Sequence, residues 1–237
     1  MAQWIDAFFR SFDLGFFNAM HSLAVAAGEN AGAEITSFLT YLMHFISLFA
    51  HDGIGMFALG LILMIPRRTR KLGMCVFAAV CCGAVITNLT LKPLVARMRP
   101  YANFEHLATT VEAWWTAVGH PLESDRSFPS GHTTAATAAM VGLFLASQKK
   151  RRTWPVLLFP FLMGMSRIYL MVHYATDVLM GLVAGSIGAV AAYLLTTRLL
   201  YPILEKHRDV RLFRFFLEFE PLTFLKGLRE NRSGAEE

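Results

Sequence analysis

Charge is what this sequence has least of. Only 16% of its 237 residues are Asp, Glu, Lys or Arg, against roughly 25% in a typical soluble domain. With 55% hydrophobic residues and a mean hydropathy of +0.45, the chain lacks the polar material of a fully water-facing surface. That balance excludes a disordered chain, a coiled coil and a nucleic-acid-binding tail. Cysteine is scarce too. Cys75, Cys81 and Cys82 fall in one apolar stretch, two of them adjacent, which is neither a disulfide framework nor a metal-ligand spacing. They read as small apolar core residues. A basic leader is also missing. Asp6, Arg10 and Asp13 interrupt the apolar residues of segment 1–24, so no signal peptide is expected.

What is present is a series of charge-free segments: 35–50, 53–66, 72–91, 131–148, 153–166 and 178–197. A helical bilayer crossing takes about 20 mainly apolar residues, so the shorter segments need their flanks to be helical as well. The expected fold is all-α: a six-transmembrane-helix bundle at 33–200, forming a single membrane domain with the rest of the chain 1–237. Ile5, Phe8, Phe9, Phe12, Phe16 and Met20 recur at helical spacing within residues 1–30. This region reads equally as an interfacial amphipathic helix or as a helix packed on the bundle. Leu212, Phe213, Phe215, Phe216 and Phe219 lie among basic residues in the tail 201–237, the pattern of a second interfacial helix.

Basic residues set the expected orientation. Arg67, Arg68, Arg70 and Lys71 follow the second segment, Lys149 to Arg152 follow the fourth, and Arg198, Lys206, Arg208, Arg211 and Arg214 follow the sixth. Six crossings put all three clusters on one side, and the positive-inside rule makes that side the cytoplasm. Both termini are then cytoplasmic in a multi-pass protein of the cell membrane. The net charge of +5 is spent on topology and anionic headgroups rather than on nucleic acid. Gly181 with Gly185, and Ala184 with Gly188, are small-residue pairs suited to close helix packing in a bilayer.

On this topology three polar segments meet at the opposite, extracytoplasmic face. They are Lys92 to Pro100, Pro129 to His132, and Ser166 to Asp177. Lys92 and Arg99 are seven apart and share a face if the segment is helical. With Arg167 they form a set of cations that repel one another unless an anion neutralises them. Arginine offers a planar fork to phosphate oxygens, and lysine a point charge. Ser130 is a suitable N-cap for the next helix, whose free N–H groups attract anions, and Gly131 permits close approach. These devices select a tetrahedral oxyanion. His173 and Asp177 stand at i, i+4, so the carboxylate can fix the imidazole tautomer and leave the other nitrogen nucleophilic. His132 arrives from another helix, placed to serve as a general acid. Acidic and histidine residues show no metal-ligand spacing, and neither a metal nor another cofactor is expected.

Lys-x6-Arg-Pro, Pro-Ser-Gly-His and Ser-Arg-x5-His-x3-Asp together resemble the three-part signature of the type-2 phosphatidic acid phosphatase superfamily, across residues from about 35 to 198. The resemblance implies that His173 is the nucleophile, Asp177 its orienting partner and His132 the leaving-group acid. It also implies that Lys92, Arg99, Ser130, Gly131 and Arg167 bind the phosphate. The expected activity is that of an integral-membrane lipid phosphatase acting through a phosphohistidine without metal, with a lipid phosphate as substrate and membrane lipids as surroundings. Compact size and an outward site look like bacterial undecaprenyl-diphosphate phosphatases. Phosphatidylglycerophosphate or phosphatidic acid phosphatases, and a lipid phosphotransferase, share the motifs. A non-enzymatic anion-binding membrane protein or transporter is the competing class, disfavoured because the polar residues gather at one end. Oligomeric state is not read from the sequence.

Outside the signature, Arg97 reads as a headgroup or interfacial arginine. His44, His51, His106, His120 and His207 read as structural or solvated. The segment 101–128, with Trp114, Trp115, Glu105, Glu112, Glu123 and Asp125, reads either as a roof over the site that governs substrate entry or as an anchored loop.

Overall fold

Helices form where the sequence runs apolar, and they stop where a residue cannot continue them. The structure, a computed structural model, describes residues 1–28, 37–103 and 110–220. Among the described residues there is no strand. The longer helices are α1 (Ala2–Ala26), α2 (Phe38–Leu48), α3 (Ile54–Met64), α4 (Arg70–Ala84), α5 (Thr110–Ala117), α6 (Gly131–Ala146), α7 (Phe159–Tyr169), α8 (Ala175–Leu194) and α9 (Arg211–Glu218). Ser37 caps α2 by accepting from the Leu39 amide, and Gly53 enters α3 with φ of 74°. Both α4 and α8 run on through wider π-type turns, Val85–Leu91 and Leu195–Leu200. Each wide stretch lies just ahead of a proline, Pro93 or Pro202. Proline has no N–H to donate and crowds the carbonyl one turn back, which accounts for the widening.

With these extensions, Arg70–Ala102 and Ala175–Lys206 are long and apolar enough to cross a membrane, each at a mean hydropathy of 2.1. α2, α3 and α6 are apolar but shorter. Each of the six charge-free segments carries a helix, and two of these helices reach the length of a crossing by themselves.

α6 is the centre of the bundle, packed on α4, α7 and α8. Its small residues allow this: Ala136, Ala138, Ala139 and Thr133 are completely buried. α8 meets it through glycine. A Cβ at Gly185 would come within 2.6 Å of the Thr134 carbonyl oxygen, and one at Gly188 within 2.8 Å of the Gly83 amide of α4. The small-residue pairs thus do the packing read from their spacing.

α1 packs on α7 and α8. Phe17 joins Ile168, Met171, Tyr174 and Val178 in one apolar cluster, while Trp4, Phe8, Phe12 and Phe16 are exposed on the other face. Arg70 is not a surface cation of the first basic cluster. It is buried and donates to the carbonyls of Met64, Ile65, Leu217 and Phe219, tying the tail to the end of α3. The tail beyond Glu220, residues 29–36, and residues 104–109 with Glu105 and His106 lie outside the described residues. The start of α4 and the tail thus share one end of the bundle, whereas the end of α4 and the starts of α6 and α8 meet at the other.

Candidate active site

The chain leaves α4 between its two signature cations. Val95 is the last helical residue, Ala96 is left-handed at φ of 52°, and Arg99 is extended. The shared helical face expected for Lys92 and Arg99 therefore does not exist. The turn at Ala96 nevertheless brings both side chains to one cavity of about 180 Å³. Gly131, His132 and His173 line it as well, and Ala50, Phe57, Val80 and Ala84 form an apolar wall. Gly131 lies against the lysine: a Cβ there would stand 3.4 Å from Lys92 Nζ, in van der Waals contact. Ser130 caps α6, its Oγ accepting from the Thr133 amide at 3.4 Å, and its own amide donates to the Asp177 carbonyl at 3.1 Å. The starts of α6 and α8 are locked together in this way.

His173 lies in the turn between α7 and α8 and is 1% exposed. Arg99 Nη1 is 3.2 Å from its Nε2. A guanidinium only donates, so Nε2 carries the lone pair and Nδ1 the proton. Nδ1 faces Asp177 Oδ2 at 3.4 Å and Ser127 Oγ at 3.5 Å. Burial holds the His173 imidazole well below its ordinary pKa, and the charges of Arg99, Arg167 and Lys92 push the same way. The ring is neutral, with its free nitrogen beside the cations.

Asp177 is saturated. Its Oδ2 accepts from Ser127 Oγ at 2.5 Å and from the Tyr174 amide at 3.1 Å, and its Oδ1 accepts from Arg97 at 2.6 Å. Arg97 is therefore not a headgroup arginine. Its side chain is 1% exposed and is paired also with Asp6 at 2.7 Å and Asp13 at 2.9 Å from α1. It donates to Thr176 Oγ1 as well and stacks over the Tyr174 ring, 3.5 Å from its centroid. Asp13 takes a further bond from the Thr176 amide at 2.9 Å. A cation buried this deeply needs such partners, and here carboxylates supply them.

The described part of segment 101–128, residues 101–103 and 110–128, is fastened down and also reaches the cavity. Tyr101 stacks on Trp115 with centroids 4.5 Å apart, Trp115 Nε1 donates to the Pro121 carbonyl, and Trp114 stacks on His21 of α1 at 4.0 Å. Beyond this anchor the loop turns its acidic residues inward. Lys92 and Arg99 donate to the Asp125 carboxylate, Arg167 donates to Glu123, and Arg99 stands 3.9 Å from Glu123. Burial raises the Asp125 carboxyl, but the hydrogen bonds and charges of Lys92 and Arg99 outweigh it and hold the group below the usual carboxylate range. Among the described residues, two buried nitrogens still have no hydrogen-bond partner, His132 Nε2 and Arg167 Nε. Of the remaining histidines, His44 binds the Val118 carbonyl and His120 packs on Trp115.

The model of the PAP2 superfamily matches residues 71–201, more than half of the chain. The chain belongs to the PAP2 superfamily. An undecaprenyl-diphosphatase of Sulfolobus acidocaldarius is 30% identical over 149 residues, covering 62% of this chain and 66% of that protein, a little under two thirds of its length. A decaprenylphosphoryl-5-phosphoribose phosphatase of Mycobacterium tuberculosis is 34% identical over 151 residues, or 61% of this chain and 74% of that one. The crystal structure of Aquifex aeolicus LpxE superposes with a TM-score of 0.52 at 22% identity, covering 76% of this chain and 93% of LpxE. That last likeness concerns the fold.

In this PAP2 chain, Lys92, Arg99, Gly131, His132 and His173 line the cavity, while Ser130, Arg167 and Asp177 are buried and do not line it. The reading of residues one by one missed Arg97, Asp6, Asp13, Ser127, Glu123 and Asp125. One signal for α1 was available: Asp6 and Asp13 are the acids of that helix and stand seven apart, on one face.

Proposed function

We propose that this PAP2 chain is an integral-membrane lipid phosphatase that removes the terminal phosphate of a polyprenyl phosphate or diphosphate, with undecaprenyl diphosphate as the leading substrate. One observation carries the reading. The free nitrogen of His173 faces Arg99, Lys92 lines the same cavity, and His132 Nε2 and Arg167 Nε are buried with no hydrogen-bond partner among the described residues. A phosphoryl group would supply oxygens to both. The names of the two relatives support a polyprenyl-linked substrate, and the apolar wall of Ala50, Phe57, Val80 and Ala84 suits a lipid.

His173 Nε2 attacks phosphorus, forming an N–P bond as the P–O bond to the lipid breaks. The departing oxygen takes the proton of a protonated His132. Water then attacks the phosphohistidine and gives its proton back to His132, and phosphate and neutral His173 remain. Asp177 stabilises the Nδ1–H of His173 while positive charge develops on the ring. Lys92, Arg99 and Arg167 neutralise the equatorial oxygens, so the step asks for no metal. The six-crossing topology, with cytoplasmic termini and an extracytoplasmic site, belongs to the same proposal. It rests on the basic clusters.

The test is phosphate release from a panel of lipid phosphates by purified protein in detergent, with chelator present. Turnover is expected to persist in chelator, to be inhibited by orthovanadate, and to vanish in His173→Ala. No turnover of any lipid phosphate, or full activity of His173→Ala, overturns the proposal.

A further inference from the structure

The cations of the site are already matched by an anion, and that anion is part of the chain. Lys92, Arg99 and Arg167 carry three positive charges, and Glu123 and Asp125 place two carboxylates against them. The two sides are held differently. Lys92 and Arg99 side chains are 9% and 5% exposed, whereas the Asp125 side chain is 48% exposed at the rim. Asp125 can turn to water by rotating about its own bonds; the cations are enclosed. The carboxylates also leave the site incomplete, because His132 Nε2 and Arg167 Nε stay buried without a partner.

Resting on the lipid-phosphatase reading, we propose that Glu123 and Asp125 are specificity residues that exclude phosphodiester headgroups and give way to a terminal phosphate. An incoming anion must replace the carboxylates on three cations and satisfy the two orphaned nitrogens as well. A terminal phosphate near neutral pH carries nearly two negative charges and three free oxygens, its second pKa being about 6. A phosphodiester carries one charge and two free oxygens, and it cannot match what it displaces. This threshold matters in a membrane, where phosphodiester lipids surround the site. Specificity then comes from a repulsive element as much as from attraction.

The experiment compares the full-length wild type with Asp125→Asn and Glu123→Gln in mixed micelles. It measures calorimetric binding of inorganic phosphate, and inhibition of lipid-phosphate turnover by phosphatidylglycerol. The wild type is expected to be insensitive to phosphatidylglycerol. Each variant is expected to become sensitive to it and to bind inorganic phosphate at least about tenfold more tightly. Unchanged phosphate affinity together with unchanged diester insensitivity in a folded Asp125→Asn overturns the proposal. If Glu123→Gln does not fold because Arg167 keeps Ser47 but loses its carboxylate, Asp125→Asn decides alone, since half of that side chain already faces water. Phosphate binding needs no turnover, so the two readings fail separately. Tighter binding in the variants without lipid hydrolysis by the wild type retains the carboxylate plug and refutes the phosphatase. Hydrolysis by the wild type, with phosphate affinity and diester insensitivity both unchanged in the variants, does the reverse.

Discussion

Replacing Arg97 with methionine tests the largest departure of the structure from a signature-based reading. One guanidinium balances Asp6, Asp13 and Asp177, and the side chains of Asp13 and Asp177 are 1% and 0% exposed. Methionine fills similar space and removes the charge, which strands carboxylates in a low-dielectric interior. Breaking a buried pair in this way costs about 3–5 kcal/mol. A whole domain is stable by only about 5–15 kcal/mol, so Arg97→Met is expected to be barely folded in detergent. The assay is denaturant or thermal unfolding of the purified variants. Adding Asp13→Asn removes one stranded charge, so Arg97→Met/Asp13→Asn is expected to be more stable than Arg97→Met although Asp13→Asn alone destabilises. That non-additivity is the signature of direct coupling. An Arg97→Met variant that melts like the wild type, or additive effects in the double variant, refutes the reasoning.

Two other outcomes follow from the geometry. Below pH 6.5, the ordinary value for histidine, an unfolded His173 takes up a proton that the folded one refuses. Stability should therefore fall as pH drops from 6.5 toward the depressed folded value. His173→Gln is expected to flatten this slope, and equal slopes in unfolding measurements between pH 7 and 5 would contradict it. At Gly185 a Cβ would lie 2.6 Å from both the Thr134 oxygen and Thr137 Cβ. Gly185→Ala is then expected to cost about 1–3 kcal/mol as α8 is pushed off α6, although alanine is the better helix former; a stabilised variant in thermal unfolding would show that the helices separate freely.

The helices of the core were readable because a segment without charge has few alternatives to burial. The boundaries were less so. Residues 72–91 read as one run, yet α4 widens at Val85–Leu91 and ends at Ala96, where a proline and a left-handed residue act on the backbone rather than on hydropathy. The spacing of Lys92 and Arg99 suggested a common helical face. The two residues do converge, but through the turn that breaks the helix. His173 and Asp177 bracket the start of α8, and their facing each other depends on Ser127 and Tyr174 as much as on i, i+4 spacing.

The sequence alone determined that the chain is helical and apolar, and it named the residues that converge at the candidate site. Scarcity of charge leaves burial in an apolar medium as the use for long uncharged runs, and cations and imidazoles placed beside them stand out. Only the tertiary structure decided how those charges are balanced. Arg97 belongs to Asp6, Asp13 and Asp177, and Lys92, Arg99 and Arg167 belong to Asp125 and Glu123. In sequence these partners lie tens of residues away, on α1 and on a long loop. Electrostatic pairing follows distance through space in a low dielectric, and no local pattern records which of two arginines, two residues apart, lines the cavity and which is buried among carboxylates.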